Sequence, residues 1–189
     1  MNEYLRIANY LMLKSIELQD ISLYHGKMGI VLALSLYAHQ EGKKNLNDFA
    51  WDLLQDVYKG VNETLPIGLE YGLSGIGYGI TLLKKHGIVD CNLNEVLYDI
   101  DQHIMRYDSR RITDFSFRHG AWGLSSYIRL RLDVERSINS FDPQYLQELQ
   151  QVITTSPSFR KGFPHRILWE DLQIPDWNLS NFHGKSIGI

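Results

Sequence analysis

Apolar residues follow two rhythms along this chain. In one set they fall at i, i+3, i+4 and i+7: Leu46, Phe49, Ala50, Leu53, Leu54, Val57 and Val61, and again Leu93, Val96, Leu97, Ile100, Ile104 and Tyr107. That spacing lays one apolar stripe along an otherwise polar helix. The other rhythm is unbroken: residues 30–37, IVLALSLY, are apolar all round, which predicts a helix buried on several sides. A first helix over roughly Glu3–Glu17 carries Tyr4, Ile7, Ala8, Leu11, Met12 and Ile16 on one face. No convincing strand pattern occurs anywhere. The expected class is all-α, with fully buried helices alternating with one-sided ones.

Punctuation agrees. Gly42 and Gly87 follow the first two buried stretches, where a left-handed cap suits glycine. Asn92 with Glu95 has capping-box spacing, and Asp142 stands as a cap before Pro143. The buried stretches open on a repeated glycine motif: His25-Gly26 with Gly29, Tyr71-Gly72 with Gly75, and His119-Gly120 with Gly123. The first members of these motifs are 46 and 48 residues apart. A partial fourth copy, His183-Gly184, follows after 64 residues, with its second glycine, Gly188, one place late. The repeats thus start near 24, 71, 118 and 182, and the last step holds a loop-rich insertion at about 155–181.

This is what an array of helical hairpins needs: inner helices covered on several sides, outer helices on one. Glycines at the mouths of inner helices let crowded backbones approach. Gly77 and Gly79 lie inside the second inner helix at a propensity cost of about 1 kcal/mol each, which points to close contact with another helix. A phosphate loop is not expected. The glycines of 72–79 miss dinucleotide spacing by one place, no strand precedes them, and no Gly-Lys-Ser/Thr closes the run.

Composition narrows the classes. The chain has 189 residues, with 44% hydrophobic and 12% aromatic, enough for one well-buried helical-repeat domain. A net charge of −3 gives no basic field for nucleic acid. No apolar run reaches the roughly 18 residues that span a bilayer, and no basic leader opens the chain, so a cytoplasmic location is expected. One cysteine, Cys91, excludes an internal disulfide.

The His-Gly-x-x-Gly motif opening inner helices at a period near 47 resembles the lanthionine synthetase C-like family. The resemblance implies an α/α toroid of seven inner and seven outer helices. It also implies peptide modification of the lantibiotic kind, in which a zinc-activated cysteine thiol adds to a dehydrated serine or threonine. The family holds its zinc with two cysteines and a histidine, one cysteine in a Cys-His-Gly tripeptide. Here that place reads Phe182-His183-Gly184, and Cys91 lies off every motif. A catalytic zinc typically needs three protein ligands and an open position. The zinc expected of the family therefore lacks its ligand set, and no metal or other cofactor is expected. The expectation is a non-catalytic, peptide-handling accessory or a partial cyclase.

Three complete motifs make about half of such a ring, so an incomplete ring is expected. Its open edges would be covered by a second copy or another partner. His25 and His119 are candidate acid–base residues, since imidazole titrates near neutrality. Each could equally satisfy free backbone groups at a helix end. Tyr71, His183, Trp169 and Trp177 are candidate peptide-binding residues. The alternatives are an α/α-toroid enzyme acting on carbohydrate through acids such as Glu70 and Asp171, or an interaction scaffold.

Overall fold

The computed structural model of the chain describes residues 3–135 and 140–155. They form α1 (Glu3–Glu17), α2 (Lys27–Glu41), α3 (Lys44–Gly60), α4 (Leu73–Lys85), α5 (Leu93–Val96), α6 (Tyr98–Arg106), a 3₁₀ turn (Ser109–Arg111), α7 (Ala121–Val134) and α8 (Pro143–Thr155). Among the described residues there is no strand. The all-α expectation holds. The sequence at 155–181, with Trp169, Trp177 and Asp171, lies outside the described residues apart from Thr155, and so does His183.

Helices α2, α4 and α7 form an inner row with α4 in the middle, touching both neighbours. The glycines of α4 explain how closely. A Cβ on Gly79 would lie 2.7 Å from the Met28 side chain of α2, and one on Gly77 would lie 2.6 Å from the Tyr127 ring of α7. Each glycine is a slot for a large side chain from the next helix. The helix-to-helix contact expected at these two positions is present on both sides.

Outer helices cover this row: α3 packs on α2, α6 on α4, and α8 on α7, while α1 lies against α2. The stripe read for α3 is the face it buries, through Leu46, Ala50, Leu53 and Val57. Ile76, Leu83, Leu34, Ile128 and Leu149 sit in the core at 1% exposure or less. Burying side chains of this size contributes roughly 1.5–3 kcal/mol each. The glycine caps and Asp142 are as expected, whereas Asn92 accepts the Asn94 amide and Glu95 meets the Asn92 side chain instead of forming a full capping box. Gly42 and Gly87 take φ of 63° and 67°, and Asp142 Oδ1 accepts the Gln144 and Tyr145 amides at the start of α8.

Three details differ from the sequence pattern. In α1, Ala8 and Ser15 are buried, but Tyr4, Ile7 and Ile16 are 49–70% exposed, as are Tyr10 and Leu13. Among the described residues α1 packs chiefly on α2, which covers one side of a helix that is apolar on several. The single outer helix expected over 93–107 is two, parted at Leu97, with Tyr107 exposed. In α2, Ala33 and Leu36 reach solvent, so that helix is not buried all round.

Candidate functional site

The three motif loops share one backbone design. The first amide of each inner helix donates to a carbonyl seven residues back: Lys27 to Asp20, Leu73 to Pro66, and Ala121 to Asp114, at 2.8–2.9 Å. This curls the preceding chain over the helix mouth. The curl leaves no room for side chains at the motif glycines. A Cβ on Gly26, Gly72 or Gly120 would overlap that loop's own backbone, and one on Gly29, Gly75 or Gly123 would overlap the carbonyl of Leu23, Leu69 or Phe117. None of the three inner helices carries a side-chain N-cap.

Neighbouring loops then lock together at matching positions. Tyr24 N–H donates to the Glu70 carbonyl at 3.4 Å, and Glu70 N–H to the Arg118 carbonyl at 2.8 Å. Each of these residues immediately precedes the first motif residue. The apolar residue before it packs on the second glycine of the next repeat: Leu23 Cβ would lie 3.0 Å from a Cβ on Gly75, and Leu69 Cβ 2.8 Å from one on Gly123. The second glycine therefore admits both its own loop and its neighbour's side chain.

This stitching gathers His25, Tyr71 and His119 into one column of rings. His25 and Tyr71 stack at 5.1 Å between centroids with planes 18° apart; Tyr71 and His119 stack at 5.9 Å and 1°. Both histidine side chains are 51% exposed and Tyr71 is 45% exposed, so the column has a solvent-facing edge.

Beneath the column lies Glu70, 2% exposed. His25 Nε2 is 2.6 Å from Glu70 Oε1, His119 Nε2 is 3.4 Å from Oε2, and Arg118 Nη1 is 3.5 Å from Oε1. The hydrogen bond from His25 is the main cause that holds the Glu70 carboxyl below its ordinary 4.5; Arg118 and the histidines add to it, and burial opposes it. An ionised carboxylate only accepts, so His25 Nε2 is the donor in this contact. Neither histidine ring caps a backbone group among the described residues; both turn to the carboxylate instead. Arg118 also lies over the Tyr24 ring, 5.8 Å from its centroid.

A second polar cluster lies between α6 and α7. Tyr127 donates its hydroxyl to Asp101 Oδ1, and Arg131 Nε stands 3.4 Å from Asp101 Oδ2. Arg131, fully buried, also donates from Nη2 to Asn94 Oδ1 at 2.8 Å. Asn94 in turn donates to Glu135 Oε1 at 3.0 Å. Burial raises Asp101 to about 7 against the pull of Tyr127 and Arg131. The cluster ties α7 to α5 and α6; Asp101, Tyr127 and Arg131 are buried, and Asn94 and Glu135 at its edge are half-buried.

Among the described residues Cys91 is the one cysteine that could serve as a thiolate ligand. Cys91 is half-buried between α4 and α5, where burial pushes its thiol up, the reverse of what a thiolate ligand needs. Among the described residues no three His, Cys, Asp or Glu side chains stand close enough together to hold a metal ion. No chemical step is derived through zinc.

Of the candidate residues, His25, Tyr71 and His119 come together and His183 lies outside the described residues. Glu70, raised only as one acid of a carbohydrate-acting pair, proves to be the hub beneath them. Asp20 and Asp114 also escaped notice. Their side chains accept the Ser22 and Ser116 amides at 2.7 Å, which starts each curl. The signal was available: DISLYHG at 20–26 and DFSFRHG at 114–120 share the pattern D-x-S-x-x-H-G, and NLSNFHG at 178–184 departs from that pattern only in its first residue.

No curated protein and no solved structure gives a significant match to the chain. A family model, described as lanthionine synthetase C-like protein, matches residues 17–186. That match spans all three motif loops and the inner row they open, and the chain belongs to the lanthionine synthetase C-like family.

Proposed function

We propose that this chain handles peptides at the mouth of its inner helices, as an accessory or a partial cyclase in lanthionine-type peptide modification. One observation carries the reading: three successive repeats bring His25, Tyr71 and His119 into a single half-exposed ring column over a buried, ionised carboxylate. A repeat that needed only to pack could place any small or apolar residue there. A flat aromatic edge flanked by imidazoles and Arg118 offers stacking, hydrogen bonding and charge to an extended backbone. Glu70 is unsuited to the general-acid role of a glycosidase, which needs a raised carboxyl; it is held low.

The outward face of α1, with Ile7, Tyr10, Leu13 and Ile16 at 49–70% exposure, is where a second copy or a partner would pack. No helix among the described residues is long and apolar enough to cross a membrane.

The test is fluorescence anisotropy with a labelled, cysteine- and serine-containing peptide. Binding is expected to saturate, and Tyr71→Ala is expected to weaken it about tenfold by removing the ring between the two imidazoles. Absence of saturable binding, or equal binding by the Tyr71 variant, would contradict the reading.

A further inference from the structure

A second concave surface lies between the outer helices α6 and α8 and the 3₁₀ turn. It is a cleft of about 780 Å³, within the range of pockets that hold small ligands, and it shares no residue with the ring column or Glu70. Met105, Tyr107, Phe141, Pro143 and Tyr145 give it apolar walls. Phe141, 2% exposed, is braced edge-on by Tyr127 with centroids 6.2 Å apart, so the core fixes that wall. The charged groups at the rim are already engaged. Asp108 accepts Arg110 Nε at 2.8 Å and Nη2 at 3.1 Å, and Arg106 pairs with Glu63 at 3.3 Å. Asp142 caps α8, and Glu148 accepts Gln144 Nε2 at 3.1 Å. Tyr145 is different. It is 7% exposed, and its hydroxyl is buried with no hydrogen-bond partner among the described residues. Burial pushes that hydroxyl up, so it stays protonated and remains a donor. A buried hydroxyl without a partner is costly, and a bound acceptor would relieve the cost.

We infer that this cleft is a second peptide-anchoring site: it takes an aromatic side chain of a bound peptide, and Tyr145 donates its hydroxyl to a carbonyl of the same segment. The inference goes beyond the ring column and rests on the peptide-handling reading only for the source of that side chain. Contacts of the incoming ring with the rings of Tyr107 and Tyr145 and the thioether of Met105 supply the attraction. The one uncommitted donor fixes orientation, as a few placed polar groups do in a largely apolar pocket. A charged ligand fits less well, because each charge at the rim already has a partner.

Two labelled cysteine- and serine-containing peptides, one with a single central phenylalanine and the other with alanine there, are compared by anisotropy. In parallel, N-acetylphenylalanine amide is titrated while the Met105 methyl is followed by ¹³C-edited NMR. The methyl signal is expected to shift and saturate, and the phenylalanine peptide to bind about tenfold tighter than the alanine one. Tyr107→Ala, at a ring that is 44% exposed, is expected to abolish that preference and keep the fold, with far-UV circular dichroism as the check. Tyr145→Phe removes a hydroxyl that has no partner among the described residues. Its urea midpoint is expected not to fall, while affinity for the phenylalanine peptide drops about fivefold. A Met105 methyl that does not move, equal affinities for the two peptides, or a Tyr145→Phe midpoint that falls with affinity unchanged overturns the inference. The ring-column reading is judged separately, by the effect of Tyr71→Ala on the alanine peptide. Binding of the amide with neither peptide bound overturns the peptide source and that reading together.

Discussion

Glu70 and Asp101 are equally buried, at 2% and 3% exposure, and chemically opposite. Glu70 lies under the loop mouths, where His25, His119 and Arg118 hold it ionised. Asp101 lies in a helix seam, where burial outweighs Tyr127 and Arg131 and raises it to about 7. The contrast separates two uses of a buried acid. One is a charged hub that fixes the orientation of exposed groups; the other is a link between helices that favours the neutral form. Burial alone does not decide which, because the number and charge of the partners does.

The largest effect is expected where the loop carrying Glu70 is held. In Gly72→Ala the new methyl would overlap the Pro66 carbonyl and stand 2.7 Å from the Gly68 carbonyl oxygen, and backbone cannot step aside as a side chain can. A loss of about 3 kcal/mol in urea unfolding is expected, together with loss of the His25–Glu70 contact. Next comes Gly77→Ala, whose methyl would lie 2.6 Å from the Tyr127 ring. Its expected cost is about 2 kcal/mol. It should disturb the Asp101 seam and leave the ring column in place, which tests whether the two sites are separable.

The pH responses should run in opposite directions. Asp101, raised in the folded chain above its ordinary 3.8 to about 7, contributes stability that is fully present below about 3.8 and is lost as pH rises to about 7. Asp101→Asn should flatten that fall, seen as urea midpoints that no longer drop between about pH 4 and 7. Glu70 is lowered, so its contribution is present above its ordinary 4.5 and is lost as pH falls through the folded value. Glu70→Gln should therefore remove stability at neutral pH and shrink the acid limb below about pH 4.5. A variant pair whose limbs changed in the same direction would erase the distinction.

Much of the scaffold was legible in the sequence because helix periodicity and glycine spacing are local signals. The stripe of α3, the caps at Gly42 and Gly87, and the gathering of His25, Tyr71 and His119 all follow from repeated local patterns. Glu70 was not legible as a hub. Its partners come from the loops before and after its own, and nothing adjacent to it marks that pairing. Asp101 was hidden differently: it is one polar position on an amphipathic helix, and only the slot at Gly77 brings Tyr127 to it. The exposed face of α1 misled because apolar spacing reports a preference for burial, not whether a neighbour covers it.

The account depends most on Glu70 fixing the imidazoles above it. Its most direct test is the ¹⁵N-edited spectrum of the histidine rings at a pH where they are neutral, in wild type and in Glu70→Gln. The expected result is His25 in the Nε2-protonated form in wild type and a mixture of tautomers in the variant. A His25 protonated on Nδ1, or one indifferent to the loss of the carboxylate, would contradict it.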